Sequence, residues 1–238
     1  MMPASEHCTH LKRFYDVLAS LGAKVGRRQL KHCHGRMHWP NRGVYFFFED
    51  DEYRSDKEML RVVHVGTHAV SAGSRTTLWR RLATHRGTEL GRGNHRASVF
   101  RLWIGAALLA RDETLVPKPS TWGKGSSAKG PVREAEAHVE EGVSSYIASM
   151  PFLWVEADDE PGKTSIRRVI ETNTIALLSC CSETGNDADR PSNNWLGHHC
   201  PSQAVQRSGL WNVRDVDGGY DPMFLDLLEC CAARTSPP

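Results

Sequence analysis

The chain has no apolar run approaching the roughly 20 residues that a membrane-spanning helix needs. Its opening residues, MMPASEHCTHLKRF, carry no apolar core ahead of a small-residue cleavage site. Neither a membrane nor a secreted protein is therefore expected, and the compartment implied is the cytoplasm. No glycine period runs through the 238 residues, and 20 Gly with 12 Pro are ordinary, which excludes collagen-like and low-complexity chains. Seven cysteines make an odd number, two adjacent pairs among them and no C-x-x-C, a poor basis for a disulfide framework, so reduced thiols are expected. What is present is ordinary globular material: 39% apolar, 24% charged and 8% aromatic residues, enough for one large domain around a buried core.

The net charge of +2 conceals a division. Residues 1–133 carry 23 Lys and Arg against 11 Asp and Glu (+12), and the remainder carry 7 against 17 (−10). A basic first half can face a polyanion, or the two halves can attract each other within one fold.

Helical spacing places Leu11, Phe14, Tyr15, Leu18 and Leu21 on one face of a first helix over 7–21, with Gly22 as its cap. The aromatic run Val44–Phe48 behind Arg42-Gly43 and the run Leu60–Val65 predict two strands, with the acidic stretch 49–58 as a solvated connection. Helices are predicted around 78–86, 98–111, 132–149, 165–179 and 223–233, and a third strand over 152–155. The Gly, Ser, Pro and Lys content of 116–131 predicts a mobile basic loop. This order gives an α+β fold, a small mixed or antiparallel three-stranded sheet flanked by helices.

Two patterns in the chain are chemically incomplete. Ala157-Asp158-Asp159-Glu160-Pro161-Gly162-Lys163-Thr164 fits a permissive phosphate-loop pattern, but three consecutive carboxylates would meet the triphosphate. The clusters His32, Cys33, His34, His38 and His198, His199, Cys200 lack the ordered spacing of a zinc site. A zinc-stabilised interaction protein remains a third reading.

A different constellation starts at the strands. Gly43-Val44-Tyr45 lies on the first strand and His64-Val65-Gly66 ends the second, while Arg81 and His85, four apart, project from one face of the next helix. In this order the three motifs resemble the GIY-YIG nuclease family. Glu171-Thr172-Asn173-Thr174-Ile175 resembles the helix that delivers that family's metal-binding glutamate and is similar to the corresponding segment of excision-repair incision subunits. Independently of the family, Glu171 neighbours Ile175 and Leu178 on a partly apolar face, where a carboxylate needs a partner. The resemblance covers about 42–195, which divides the chain into a helical extension (1–41), a nuclease-like domain with an insertion around 90–150, and a C-terminal extension with a helix (196–238). His64 stands where the family usually has tyrosine, and the asparagine that follows the glutamate is best matched by Asn194.

The resemblance implies an endonuclease hydrolysing phosphodiesters with Mg²⁺, or Mn²⁺, held by Glu171. Arg81 would bind the scissile phosphate, and Tyr45, His64 and His85 would share the activation of water. Nucleic acid, double-stranded DNA in the first place, is the implied partner, with Arg75, Arg80, Arg86, Arg92, Arg96 and Lys124 as candidate phosphate contacts. Restriction, defence or mobile-element biology would suit such an enzyme. A nucleic-acid-binding relative that has lost cleavage is the alternative. One active site cuts one strand, so breaking a duplex calls for two visits or a homodimer on the substrate, and the homodimer is carried as a hypothesis.

Overall fold

The computed structural model describes residues 4–114, 116–180 and 189–237. Four strands, β1 (Arg28–Gln29), β2 (Gly43–Tyr53), β3 (Leu60–Gly66) and β4 (Pro151–Glu156), form one antiparallel sheet in the order β1-β4-β2-β3. The helices are α1 (Ala4–Val25), α2 (Leu78–Arg86), α3 (Val99–Arg111), α4 (Gly130–Ser149), α5 (Ile166–Leu178), α6 (Gln203–Ser208) and α7 (Phe224–Arg234). The fold is α+β.

Alternation along β2 explains why its aromatic run is continuous. Side chains of successive strand residues point to opposite faces. Phe46 meets Phe14 of α1, while Tyr45 and Phe47 face His85 of α2 and Phe100 of α3. Helices cover both faces, so no position from Gly43 to Phe48 is left for water.

Serine and threonine set the helix starts: Thr77, Ser98 and Ser165 accept the backbone N–H of Arg80, Arg101 and Arg168 at α2, α3 and α5. Four expectations change. First, α1 runs past Gly22 to Val25, and Gly26, at φ +73°, supplies the left-handed turn that ends it. Second, only part of the acidic stretch 49–58 is a solvated connection: residues 55–58 are exposed, but residues 49–53 belong to a strand. Strand β2 continues to Tyr53, and Glu49 and Glu52 are buried because donors from distant parts of the chain reach them. Glu49 accepts from Tyr146, Trp195 and Trp211, and Glu52 from Arg61 and Ser192. Third, the sheet carries the additional short strand β1. Fourth, the loop 116–131 is fastened: the Trp122 indole donates to Leu102 O at 3.1 Å and stacks on His95 with ring centroids 3.9 Å apart.

The segments expected as extensions share the core with the rest. Phe14, Leu18 and Leu21 of α1 and Leu210, Trp211, Phe224 and Leu228 near the C-terminus are buried in the same apolar cluster. Trp211 N donates to Val63 O at 2.7 Å, and Asn212 bonds both backbone groups of Val65, which covers the outer edge of β3. Among the described residues no helix is long and apolar enough to cross a membrane. Six of the seven cysteines are described and are free thiols; Cys181 lies outside the described residues.

Candidate active site

The antiparallel register pairs Tyr45 on β2 with Gly66 at the end of β3. Gly66 is needed there for space, since a Cβ on it would overlap the Tyr45 phenol. The phenol oxygen of Tyr45, fully buried, stands 2.7 Å from Nε2 of His85 and 3.2 Å from Nε of Arg81. His85 and Arg81 reach it together because they sit one turn apart on α2. On its other side, His85 Nδ1 lies 2.8 Å from Ser98 Oγ, the residue that caps α3.

The donors fix a direction of hydrogen bonding. A guanidinium can only donate, so Arg81 gives its Nε–H to the Tyr45 oxygen. Tyr45 then directs its own proton to His85 Nε2, and the neutral imidazole carries its remaining proton on Nδ1, toward Ser98. Ionisation agrees with this assignment. Burial, together with the charge of Arg81, holds His85 well below the ordinary histidine value. Burial raises the Tyr45 phenol, and Arg81 pulls it back only in part.

Glu171 arrives from α5. Its Oε1 accepts the backbone N–H of Thr67, one residue past the end of β3, at 3.1 Å, and its Oε2 accepts from Arg168 at 3.0 Å. Arg168 also pairs with Asp215 at 3.0 Å. Burial raises the Glu171 carboxyl, and Arg168 opposes the rise. Thr67 follows Gly66, the register partner of Tyr45, so its bond to Glu171 ties helix α5 to the strand end beside the Tyr45 site. His64 stacks face to face on Phe100, centroids 3.9 Å apart. Its ring nitrogens make no hydrogen bond of good geometry, the Asn212 side chain is the polar group beside them, and burial lowers its pKa to about 3.

The other residues singled out from the sequence scatter. Asn194 is exposed, with its backbone N–H on Ser192, whose hydroxyl reaches Glu52 at the far end of β2 from Tyr45. The amide that does reach the site's strands is Asn212. Arg96 is locked in a two-pronged ion pair with buried Glu136, at 2.6 and 2.9 Å. Arg86 donates to Cys33 O and lies over the Trp79 ring. Arg92 faces Glu134 at 3.4 Å. Arg75, Arg80 and Lys124 are exposed. Sequence reasoning missed Asn212, Arg168 and Asp215 as neighbours of the site. It read Ser98 near a helix start, and capping was the one signal that placed it.

The donor set can be tested against a divalent ion. Glu171 offers one carboxylate, 15% exposed, each of whose oxygens keeps a lone pair after its bond to Thr67 or Arg168. Among the described residues no three His, Cys, Asp or Glu side chains stand together as metal donors. A single hard carboxylate fits Mg²⁺, which keeps several waters and takes substrate oxygens, and lacks the nitrogen and sulfur ligands of a closed zinc site.

Searches of curated proteins and of solved structures find no match. The family model described as the GIY-YIG domain matches residues 5–238, nearly the whole chain and wider than the stretch that carries the motifs. With Tyr45, Arg81, His85 and Glu171 drawn together by β2, α2 and α5, the chain belongs to the GIY-YIG family of nuclease-type domains.

Proposed function

We propose that the protein is a metal-dependent endonuclease that hydrolyses phosphodiester bonds in DNA. The observation that carries this reading is the chain Arg81 Nε, Tyr45 oxygen, His85 Nε2 and Ser98 Oγ, with Glu171 bonded to the backbone N–H of Thr67, next to the Gly66 that pairs with Tyr45. Arg81 supplies a fixed fork of donors to the scissile phosphate and offsets the charge that grows on it. Water approaching that phosphate gives its proton to the Tyr45 oxygen as Tyr45 passes its own to His85 Nε2. The imidazolium so formed keeps its Nδ1–H on Ser98. Substrate favours this transfer, because a phosphate anion offsets the Arg81 charge that helps hold His85 neutral.

Glu171 would hold the Mg²⁺ or Mn²⁺, which supplies positive charge for polarising the phosphate and stabilising the leaving oxygen. His64, neutral and beside the Asn212 amide, has a ring nitrogen to offer to water or a phosphate oxygen at the same place. The experiment is plasmid nicking with Mg²⁺. Wild type is expected to nick and EDTA to stop it, while Glu171→Gln loses about 10²–10³-fold, the range for removing one transition-state stabiliser. Equal cutting by Glu171→Gln overturns the site. Salt-sensitive DNA binding without cutting under any divalent ion favours the non-cleaving relative instead.

A further inference from the structure

Helix α2 carries the catalytic candidates on one side and a second feature on the next. Arg80 follows Trp79 and precedes Arg81, and successive residues on a helix diverge by about 100°. Arg80 therefore points away from the Tyr45 site into a separate cavity of about 650 Å³ between α2 and the start of α4. Arg92 and Arg133 line it with Arg80, and Thr84, Thr88 and Asn94 add polar groups.

The charges in this groove do not cancel. Glu140 at its base is already satisfied by Arg101 and by His95. Glu134 is matched by Arg92. The Arg80 side chain has no ion-pair or hydrogen-bond partner among the described residues, and Arg133 commits only its Nε, to Ala128 O at 3.0 Å. Both are exposed. Two guanidinium groups with no carboxylate partner among the described residues thus face one cleft, beside a helix whose other side holds the candidate scissile-phosphate arginine. Trp79 at the rim is not a free stacking platform, since Trp39 lies parallel to it at 5.3 Å and Arg86 stands 5.3 Å from its ring. The groove is built for phosphates and offers no flat aromatic face for bases.

We infer that this groove carries the sugar-phosphate backbone of the nucleic acid flanking the cut, with Arg80 and Arg133 each neutralising one phosphate without reading sequence. The inference rests on the nuclease reading and adds a substrate track to it. Because Arg133 comes from α4, in the long insertion before the Glu171 helix, one wall of that track belongs to the insertion.

The test is DNA binding by full-length protein in EDTA, where cutting is absent, followed by fluorescence anisotropy on a 40-base-pair duplex at 50–200 mM salt. Arg80→Ala/Arg133→Ala is expected to weaken binding and to reduce the slope of log K against log salt by about 2, since each neutralised phosphate contributes about 0.9. Lys12→Ala/Lys24→Ala, on the exposed side of α1, is the control and is expected to leave the slope unchanged. The inference falls if the Arg80/Arg133 variant keeps the wild-type slope, or if the α1 variant lowers it equally. If wild-type protein binds no duplex at any salt, the nuclease reading fails with it. Wild-type binding with an unaltered slope in the Arg80/Arg133 variant removes the groove alone.

Discussion

His64 is the residue whose surroundings most directly predict a measurable behaviour. It is 7% exposed, stacked on Phe100, and held neutral by burial with a pKa of about 3. In the unfolded chain a histidine takes its proton near pH 6.5. Between those values the unfolded state binds the proton and the folded state does not. The stabilising contribution is therefore complete above pH 6.5 and is lost as pH falls from 6.5 toward 3, at roughly 1 kcal/mol per pH unit. Urea unfolding of wild type and His64→Phe, which keeps the stacked ring, should show a shallower loss for the variant between pH 6.5 and 4.5. Parallel curves would remove the buried neutral imidazole from the account. At this scale, residues that belong to short local patterns were legible in the sequence: Arg81 and His85 share a helix face, while Tyr45 lies near the start of one strand run and His64 near the end of the other. Asn212 was not, because what recommends it is the Val65 backbone 147 positions away, and nothing local marks it. Asn194, with Asn193 the next choice, was matched to the family's asparagine only by its order after Glu171, and order along the chain does not fix where a side chain stands in the fold.

The elements repeat that contrast. Helices α2, α3 and α5 announce themselves through apolar periodicity and a capping hydroxyl, both local properties. The extension of β2 through Glu49 and Glu52 was illegible because carboxylates read as solvated, and what buries them is indole, phenol and guanidinium donors from four other parts of the chain. The pairing of β2 with β3 in turn makes Gly66 a sensitive position. Its backbone conformation is one that any residue can adopt, and the space beside it is filled by the Tyr45 ring. Gly66→Ala must push that phenol away from Arg81 and His85. A loss of nicking of at least about a hundredfold is expected, the lower end of the 10²–10⁴-fold range of positioned proton-transfer groups, with the sheet's far-ultraviolet circular dichroism retained. Full activity in this variant would show that Tyr45 tolerates displacement and that its hydrogen-bond chain is not the working one.

Across the whole molecule, the charge division of the sequence is in part an internal affair. Arg13, Arg54, Arg92, Arg96 and Arg101, all from the basic half, pair with Asp226, Asp189, Glu134, Glu136 and Glu140 from the acidic half. Other cations of the basic half, Arg75 and Lys124 among them, also lack a carboxylate partner among the described residues, and Arg80 and Arg133 carry weight because they line one cleft beside α2. The same cross-linking argues that the C-terminal segment is part of the fold. Removing residues 196–238 would expose the partners of Leu210, Trp211, Val216, Phe224, Leu225 and Leu228, each at most 4% exposed. At about 1.5–3 kcal/mol for each large apolar side chain, the loss rivals the 5–15 kcal/mol of an entire domain. It would also strip Glu49 of its Trp211 donor, leave Val65 without Asn212, and uncover the edge of β3. A chain ending at residue 195 is therefore expected to show no cooperative urea transition and to be digested by trypsin under conditions where the full chain survives. Cooperative unfolding of the shortened chain would instead make 196–238 a dispensable extension, and the account of the core given by Trp211 and α7 would have to be abandoned.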